Sequence, residues 1–318
     1  MARKDKPGLV SAGEALQSFG LSLSLPFTVA QQKLAEAAAE ILINPDDAEA
    51  AYMARQMVQC TLPHSDPGDL PAWTRTDGNS AFTIQPGIDG FTGRSTGIPY
   101  GTIPRLLLFW VTTEAVRTKA PRLELGDTLA AFMRELGLDP SRGGKRSDAY
   151  RLKLQAERLF SAKVTFQQKY PKYRADMQIG RAQLWWSPKQ PHQAGLWGSH
   201  IELSPDFFTT VTAAPVPLDT RALRALKRSP LALDLYALVT YRAFVASKRG
   251  AAQAIHWADL QQQLGADYGD SKNFHKKLTA ALKKIEAVTP RLKIQRQPGG
   301  FIILPSSKPA IKPREPQE

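Results

Sequence analysis

The sequence predicts an α+β fold in which short strands bracket pairs of helices, twice over. Three observations carry this reading. Arg122–Phe166 runs strand, helix, tight turn, basic helix, strand. Ala254–Leu304 repeats that order with mostly different side chains. A strongly apolar helical run precedes each stretch. The order is that of a helix-turn-helix with a β-wing, so the expected architecture is two tandem winged-helix domains behind a mostly helical N-terminal segment. The expected boundaries are 1–99 for the N-terminal segment and linker, 100–215 and 216–305 for the two domains, and 306–318 for an unstructured tail.

Residues 1–27 read as an arm with little helical order; Leu21–Leu25 alternates and Pro26 breaks the run. Ala30–Ile43 is an Ala-rich helix, and Pro45-Asp46 starts another that reaches Cys60. Leu62–Gly78 is rich in Pro, Asp and Gly and reads as loop. Ala81–Gln85 has the composition of a strand. Gly87–Pro104 carries Gly90, Gly93, Gly97 and Gly101 and reads as a linker or ordered loop. Arg105–Lys119 is an apolar helix with Leu106, Leu107, Phe109, Trp110 and Val111, expected to pack behind the first helix pair.

In the first module Arg122–Leu125 alternates as a strand. Asp127 occupies an N-cap position before Leu129, Phe132, Met133 and Leu136, and Gly137 ends that helix. A Pro-Ser-Arg-Gly-Gly turn follows, and Ser147 can cap the next helix. Ala149, Leu152, Ala156, Leu159 and Phe160 fall on one face of it. The opposite face carries Tyr150, Arg151, Leu154 and Arg158, with Lys145 and Arg146 just before the first turn. Lys163–Gln167 begins a strand and a long wing, where Lys169, Lys172, Arg174 and Arg181 surround Tyr170 and Tyr173. Leu184–Trp186 returns as a strand, and Ser187–Gly198 is loop-like. Ile201–Leu203 is a strand, and Ser204-Pro205 opens a short helix as cap and first residue.

Asp219–Leu226 is helical, and Ser229-Pro230 opens a long helix to Ser247. That helix is to the second module what Arg105–Lys119 is to the first. Ala254–Trp257 is a short strand, Ala258–Leu264 a helix stopped at Gly265, and Ala266–Ser271 the turn. The next helix carries Phe274, Leu278, Ala281, Leu282 and Ile285 on one side and Lys272, Asn273, Lys276 and Lys283 on the other. Arg291–Arg296 and Phe301–Leu304 form a hairpin across Gln297-Pro298-Gly299-Gly300. The tail has four prolines from Pro305 onward among polar residues.

Charge separates along the chain. The 318 residues carry a net +13, but residues 1–100 hold seven Lys/Arg against eleven Asp/Glu, a net of −4, and the remainder holds 35 against 18, a net of +17. A basic region behind an acidic one points to a polyanionic partner for the basic part. The single cysteine, Cys60, excludes an intrachain disulfide, fits a reducing compartment, and reads as a small buried apolar residue. No run approaches a membrane span, and a cytoplasmic protein is expected.

Several chemistries lack their residues. Gly137…Gly143-Gly144-Lys145 is no phosphate-binding loop, because Arg146 stands where Ser or Thr would reach magnesium. His64, His192, His200, His256 and His275 form no His-x-His pair, and there is no Cys-x-x-Cys. Asp46-Asp47 and Asp66…Asp69 read as cap and turn residues. No catalytic residue, cofactor or metal is expected. The basic helices suit double-stranded DNA. Arg151, Arg158 and Asn273 are the candidates for bidentate base contacts, because Arg matches guanine and Asn adenine. Lys145, Arg146, Lys272 and Lys276, at or near helix starts, suit phosphates, as does Lys283 on the same face. Lys169, Lys172 and Arg174 would follow the backbone or enter the adjoining minor groove.

Several longer runs carry a family likeness: GIPYGTIPRLLLFWVTTEAVRTK (Gly97–Lys119), FMRELGL (Phe132–Leu138), LWWSPKQP (Leu184–Pro191), RALRALKRSPLALDLYALVTYR (Arg221–Arg242) and ARQMVQCTLPHSDPGDLPAW (Ala54–Trp73). Over roughly residues 50–305 the chain resembles the RepA-type replication initiators of broad-host-range bacterial plasmids, particularly the IncW-like group. The resemblance implies two winged-helix domains and a bacterial origin-binding protein. Such a protein recognises repeated sites (iterons), helps open the DNA, and recruits the host initiator and replicative helicase. A homodimer is a further partner left open. The alternative reading is a transcriptional repressor with the same two modules. An enzyme, primase or relaxase, lacks the metal and nucleophile motifs it would need.

Overall fold

The computed structural model describes residues 28–183, 199–264 and 270–308, with isolated positions 192 and 311. The expected N-terminal arm, the strand at Leu184–Trp186, most of the Ser187–Gly198 loop and of the turn before Ser271, and the end of the tail lie outside the described residues. The fold is mixed, with helices and antiparallel sheets. Two compact units divide the chain. One comprises Met1–Ala50, Pro217–Leu260 and Asp270–Glu318; the other comprises Ala51–Val216 and Gln261–Gly269.

Helix α1 (Val29–Ile43) starts at a capping box in which Thr28 and Gln31 serve each other's backbone amides. The helix expected from Pro45 to Cys60 is instead a turn, strand β1 (Ala50–Ala54) and one short helix α2 (Arg55–Gln59). Alanine content favours helix there, but long-range bonds override it: the Tyr52 amide donates to Thr113 Oγ1 at 2.8 Å. The expected loop Leu62–Gly78 ends in strand β2 (Trp73–Asp77), which turns at Gly78-Asn79 into β3 (Ser80–Gln85). Helix α3 (Thr102–Thr118) follows, three residues longer at its start than the apolar run suggests.

Strand β4 (Arg122–Glu124) leads to α4 (Leu129–Glu135). Its cap is Thr128, not Asp127: Thr128 Oγ1 accepts from the Ala131 amide at 3.1 Å. Helix α5 (Asp148–Ser161) is capped by Ser147, as expected. Strands β5 (Lys163–Gln168) and β6 (Tyr173–Gln178) form a hairpin, and β7 (Gly180–Gln183) follows directly. Strand β8 (His200–Leu203) runs into α6 (Pro205–Ala213), capped by Ser204.

Two sheets result in this unit. One is ordered β2-β3-β5-β6, the other β4-β8-β7. The strand after α5 therefore does not return to β4. It joins the β2–β3 hairpin instead, where Phe82 opposes Phe166 and Ile84 opposes Val164. These apolar pairs bury the shared face. Buried under the second sheet, α3 packs against α5 and α6. Trp110 of α3 meets Phe132 of α4 edge-on at 5.0 Å and donates its indole N–H to Glu135 at 2.7 Å.

Strand β9 (Pro215–Asp219) precedes the remaining elements. In the other unit, Asp219 caps α7 (Thr220–Leu226) and holds the Arg221 guanidinium through both carboxylate oxygens. The buried helix α8 (Pro230–Arg249) begins with Ser229 as cap and Pro230 as its first residue. Strand β10 (Gln253–His256) leads into α9 (Trp257–Leu264), and α10 (Ser271–Val288) is capped by Asp270. Strands β11 (Ile294–Gln297) and β12 (Gly300–Ile303) turn at Pro298-Gly299 as expected, and the sheet order is β10-β12-β11. Helix α10 packs on α8, α1 and α7. Residues 306–308, assigned from sequence to an unstructured tail, are held: Ser307 is fully buried, its hydroxyl accepts from the Lys293 amide at 3.0 Å, and the Lys308 amide donates to Arg291.

Candidate nucleic-acid interface

Helix α5 presents a buried face and an open one because its apolar residues recur at helical spacing. Ala149, Leu152, Ala156, Leu159 and Phe160 are buried, together with Gln155, whose Oε1 accepts from the Tyr100 amide at 2.9 Å. Tyr150, Arg151, Lys153 and Glu157 are exposed. Arg151 lies 3.4 Å from Asp148 and keeps about half of its side chain in solvent. Lys145 and Arg146 sit exposed in the turn that Ser147 closes onto the Gly144 carbonyl. All three cations lie at the N-terminal end of α5, where backbone amides also face outward.

Arg158, placed by sequence on the same open face, turns inward. Its side chain is only 17% exposed and reaches the Ile98 carbonyl at 3.3 Å and Asp66 at 3.8 Å, with its guanidinium 5.3 Å from the Tyr100 ring. One helical turn contains 3.6 residues, so Arg158 lies two turns beyond Arg151 but beside the Ile98–Tyr100 segment. That segment covers it, and its neighbours are distant in sequence.

Helix α10 repeats the arrangement. Phe274, Leu278, Ala281, Leu282 and Ile285 are buried. Lys272, Asn273 and Lys276 are exposed at its start, and Lys283 is half-buried further along. The Asp270 carboxylate caps the helix through the Lys272 amide at 2.8 Å. At the other end, burial raises Glu286 above the usual carboxylate range although Arg296 pairs with it.

Lys169, Lys172 and Arg174 lie on the β5–β6 hairpin, exposed, beside Tyr170 and Tyr173. They are brought together with one another, but on the four-stranded sheet rather than the one containing β4. Asn79 fixes the hairpin tip by accepting from the Tyr170 amide and donating to its carbonyl. Arg174 is engaged: its guanidinium pairs with Asp176 at 2.9 Å and, with Thr165, pulls that carboxyl down to about 2. Four exposed cations on these elements escaped the sequence reading: Lys153 on α5, Arg142 in the preceding turn, and Lys277 and Lys284 on α10. Lys153 and Lys284 were legible as basic residues on helices; only the width of each open face shows that they share it.

The sheet orders relate the two regions. In each, the strand before the helix pair borders the last strand of a hairpin: β4-β8-β7 in one, β10-β12-β11 in the other. The β5–β6 hairpin is extra to the first. Cys60, the only cysteine, is buried; burial, with Asp77 nearby, pushes its thiol up to about 12. Among the described residues no helix is long and apolar enough to cross a membrane.

These features define a basic α+β chain with two exposed, N-terminally cationic helices, each backed by an antiparallel hairpin. The family model for plasmid-encoded RepA protein matches residues 98–259, just over half of the 318-residue chain. The chain belongs to this RepA family of plasmid replication proteins. No curated protein matches it. Among solved structures, a crystal structure of RctB domains 2-3 aligns with 11% identity and a TM-score of 0.44, over 78% of this chain and 94% of that one. A selenomethionine form of RctB domains 2 and 3 aligns at 11% and 0.43, over 76% and 93%.

Proposed function

We propose that the chain is a replication initiator that binds repeated sites at a plasmid origin, helps open the duplex and recruits the host initiator and replicative helicase without enzymatic activity of its own. The observation that carries this is the pair of exposed helices α5 and α10, both cationic at their N-terminal ends, in a chain of the RepA family. We read residues 100–215 and 216–305 as winged-helix domains. The repeated order of strand, two helices and hairpin supports that reading, with β7 and β8 as the wing strands of the first domain and β11 and β12 as those of the second.

Arg151 and Asn273 are the base-reading candidates, because each is exposed near the start of its helix. Lys145, Arg146, Lys272, Lys276 and Lys283 meet phosphate. Lys169, Lys172 and Arg174 extend the charged surface on the β5–β6 hairpin. Arg158 leaves the set of base contacts and supports the loop it stacks against. Footprinting on the DNA flanking the gene tests the reading. Two recognition helices on one face of the duplex sit about 10 base pairs apart, so each direct repeat should be protected over about two helical turns. Protection of a single palindrome would instead identify a repressor.

A further inference from the structure

The chain just before the segment that covers Arg158 carries the most exposed large apolar side chain among the described residues, Phe91. Residues 87–97 form a short hairpin-like loop. Ile88 bridges Ser95, the Asp89 amide donates to the Arg94 carbonyl at 2.8 Å, and Gly93 takes a positive φ at the turn. The Asp89 carboxylate braces the tip by accepting from the Phe91 amide, the Thr92 amide and the Thr92 hydroxyl, at 3.1, 2.7 and 2.8 Å. Phe91 stands at that tip with its ring wholly in solvent, and Ile88 below it is also exposed. A lone exposed apolar side chain is ordinary. This one stands on a braced turn, so the backbone beneath it has little freedom left to lose when the ring is inserted into a partner.

The foot of the loop rests on the last turn of α5. The Thr96 amide donates to the Gly87 carbonyl at 2.9 Å, Thr96 Oγ1 lies 2.9 Å from Ser161 Oγ, and a Cβ on Gly87 would stand 2.5 Å from that of Ser161. Helical geometry fixes which face this is. At 3.6 residues per turn, Arg158 and Ser161 lie about 20° and about 80° round the axis to one side of Arg151. The buried Leu152, Ala156 and Leu159 lie to the other side. The loop therefore rises from the open face of α5, the face that carries Tyr150 and Arg151. Along the axis Ser161 is ten positions, about 15 Å, beyond Arg151. The major groove is about 12 Å wide. With Arg151 at the base edges, the foot of the loop meets the sugar–phosphate ridge, and the minor groove lies beyond it. Exposed Arg94 beside the tip suits that ridge.

We propose that Phe91 is a wedge that enters a base step of duplex DNA from the minor groove and kinks it. Apolar side chains inserted in this way partly unstack the step and bend the duplex toward the major groove by about 20–90°. The proposal rests on the reading of α5 as a helix that meets the major groove. It adds to that reading a side chain that disturbs base stacking instead of contacting base edges or phosphates.

The experiment uses the full chain and a duplex spanning one footprinted repeat with its flanks, labelled at its ends for energy transfer. A second set of the same duplexes carries 2-aminopurine at successive positions. The unsubstituted chain should bend the duplex and raise 2-aminopurine fluorescence at one step outside the bases whose recognition Arg151→Ala relaxes. Phe91→Ala should lose both signals, and Phe91→Leu should keep most of each, since Leu also serves as a wedge. Neither variant should change the salt slope of binding, because no phosphate contact is removed. Phe91 is wholly exposed, so both variants should melt with the unsubstituted chain. A duplex left straight and stacked by the unsubstituted chain, or an equal bend in Phe91→Ala, would overturn the proposal. In the second case, altered sedimentation of the DNA-bound variant would give the ring to a protein neighbour. The two readings fail separately. An equal bend in Phe91→Ala, while Arg151→Ala still relaxes specificity, removes the wedge alone. Specificity untouched by Arg151→Ala, while Phe91→Ala loses the bend, removes the base-reading role of α5 alone.

Discussion

Arg151 and Arg158 lie on the same helix, seven positions apart, and meet opposite surroundings. Arg151 keeps 54% of its side chain exposed, while Arg158 keeps 17% and contacts Ile98, Asp66 and Tyr100. Arg158→Ala should therefore lower stability, by about 1–3 kcal/mol for the lost hydrogen bond and packing. The salt dependence of DNA binding should not change. Urea unfolding and a salt titration check the pair of outcomes; an unchanged midpoint with a shallower salt slope would make Arg158 a phosphate contact. Arg151→Ala and Asn273→Ala should instead weaken specific binding by about 1–3 kcal/mol each, at different halves of a repeat. Lys145→Ala should weaken binding to all sequences alike and lower the salt slope by about one. Binding of each variant to repeats altered in one half distinguishes these roles. If Arg151→Ala and Asn273→Ala relax the same half, the two helices do not share a site.

The hairpins behind the helices depend on two glycines at close crossings. A Cβ on Gly180 of β7 would stand 2.3 Å from the Glu202 carbonyl oxygen, and one on Gly300 of β12 would stand 2.1 Å from that of Ile255. Both obstacles are backbone of the neighbouring strand, which cannot move aside without breaking the ladder. Gly180→Ala and Gly300→Ala should each destabilise by about 1–3 kcal/mol or more, the cost of overpacking. Thermal unfolding gives the measurement, and two melting curves indistinguishable from the unsubstituted chain would refute the strand crossings. At this scale the sequence was informative wherever contacts are local. The caps Ser147, Ser204 and Ser229, the Pro298-Gly299 turn and the apolar stripes of α5 and α10 were all legible. Strand β2 was hidden because the Pro- and Gly-rich composition upstream outweighs the alternation of Trp73–Asp77. The partner of β5 was hidden because pairing with β3 joins residues about eighty positions apart.

For the whole molecule, charge sets the expected behaviour. A net of +17 follows a first hundred residues of net −4, and exposed cations include those of α5, its preceding turn, the β5–β6 tip and α10. Binding to origin DNA should fall steeply with salt, because each phosphate contact releases counterions. With about six to ten such contacts, affinity should drop by about 10³–10⁵ between about 50 and 200 mM salt. A flat titration would mean that these cations do not meet phosphate.

By itself the sequence determined the helix pairs, most of their caps, the basic character of both open faces and the family likeness, because periodicity, capping and charge act over a few residues. Tertiary structure alone decided three things: that β5 joins β3 rather than returning to β4, that Arg158 is covered by the Ile98–Tyr100 segment, and that the loop carrying Phe91 is seated on Ser161 of α5. Each is a meeting of residues far apart along the chain. Such meetings follow from which buried faces find each other, a choice that no local pattern encodes.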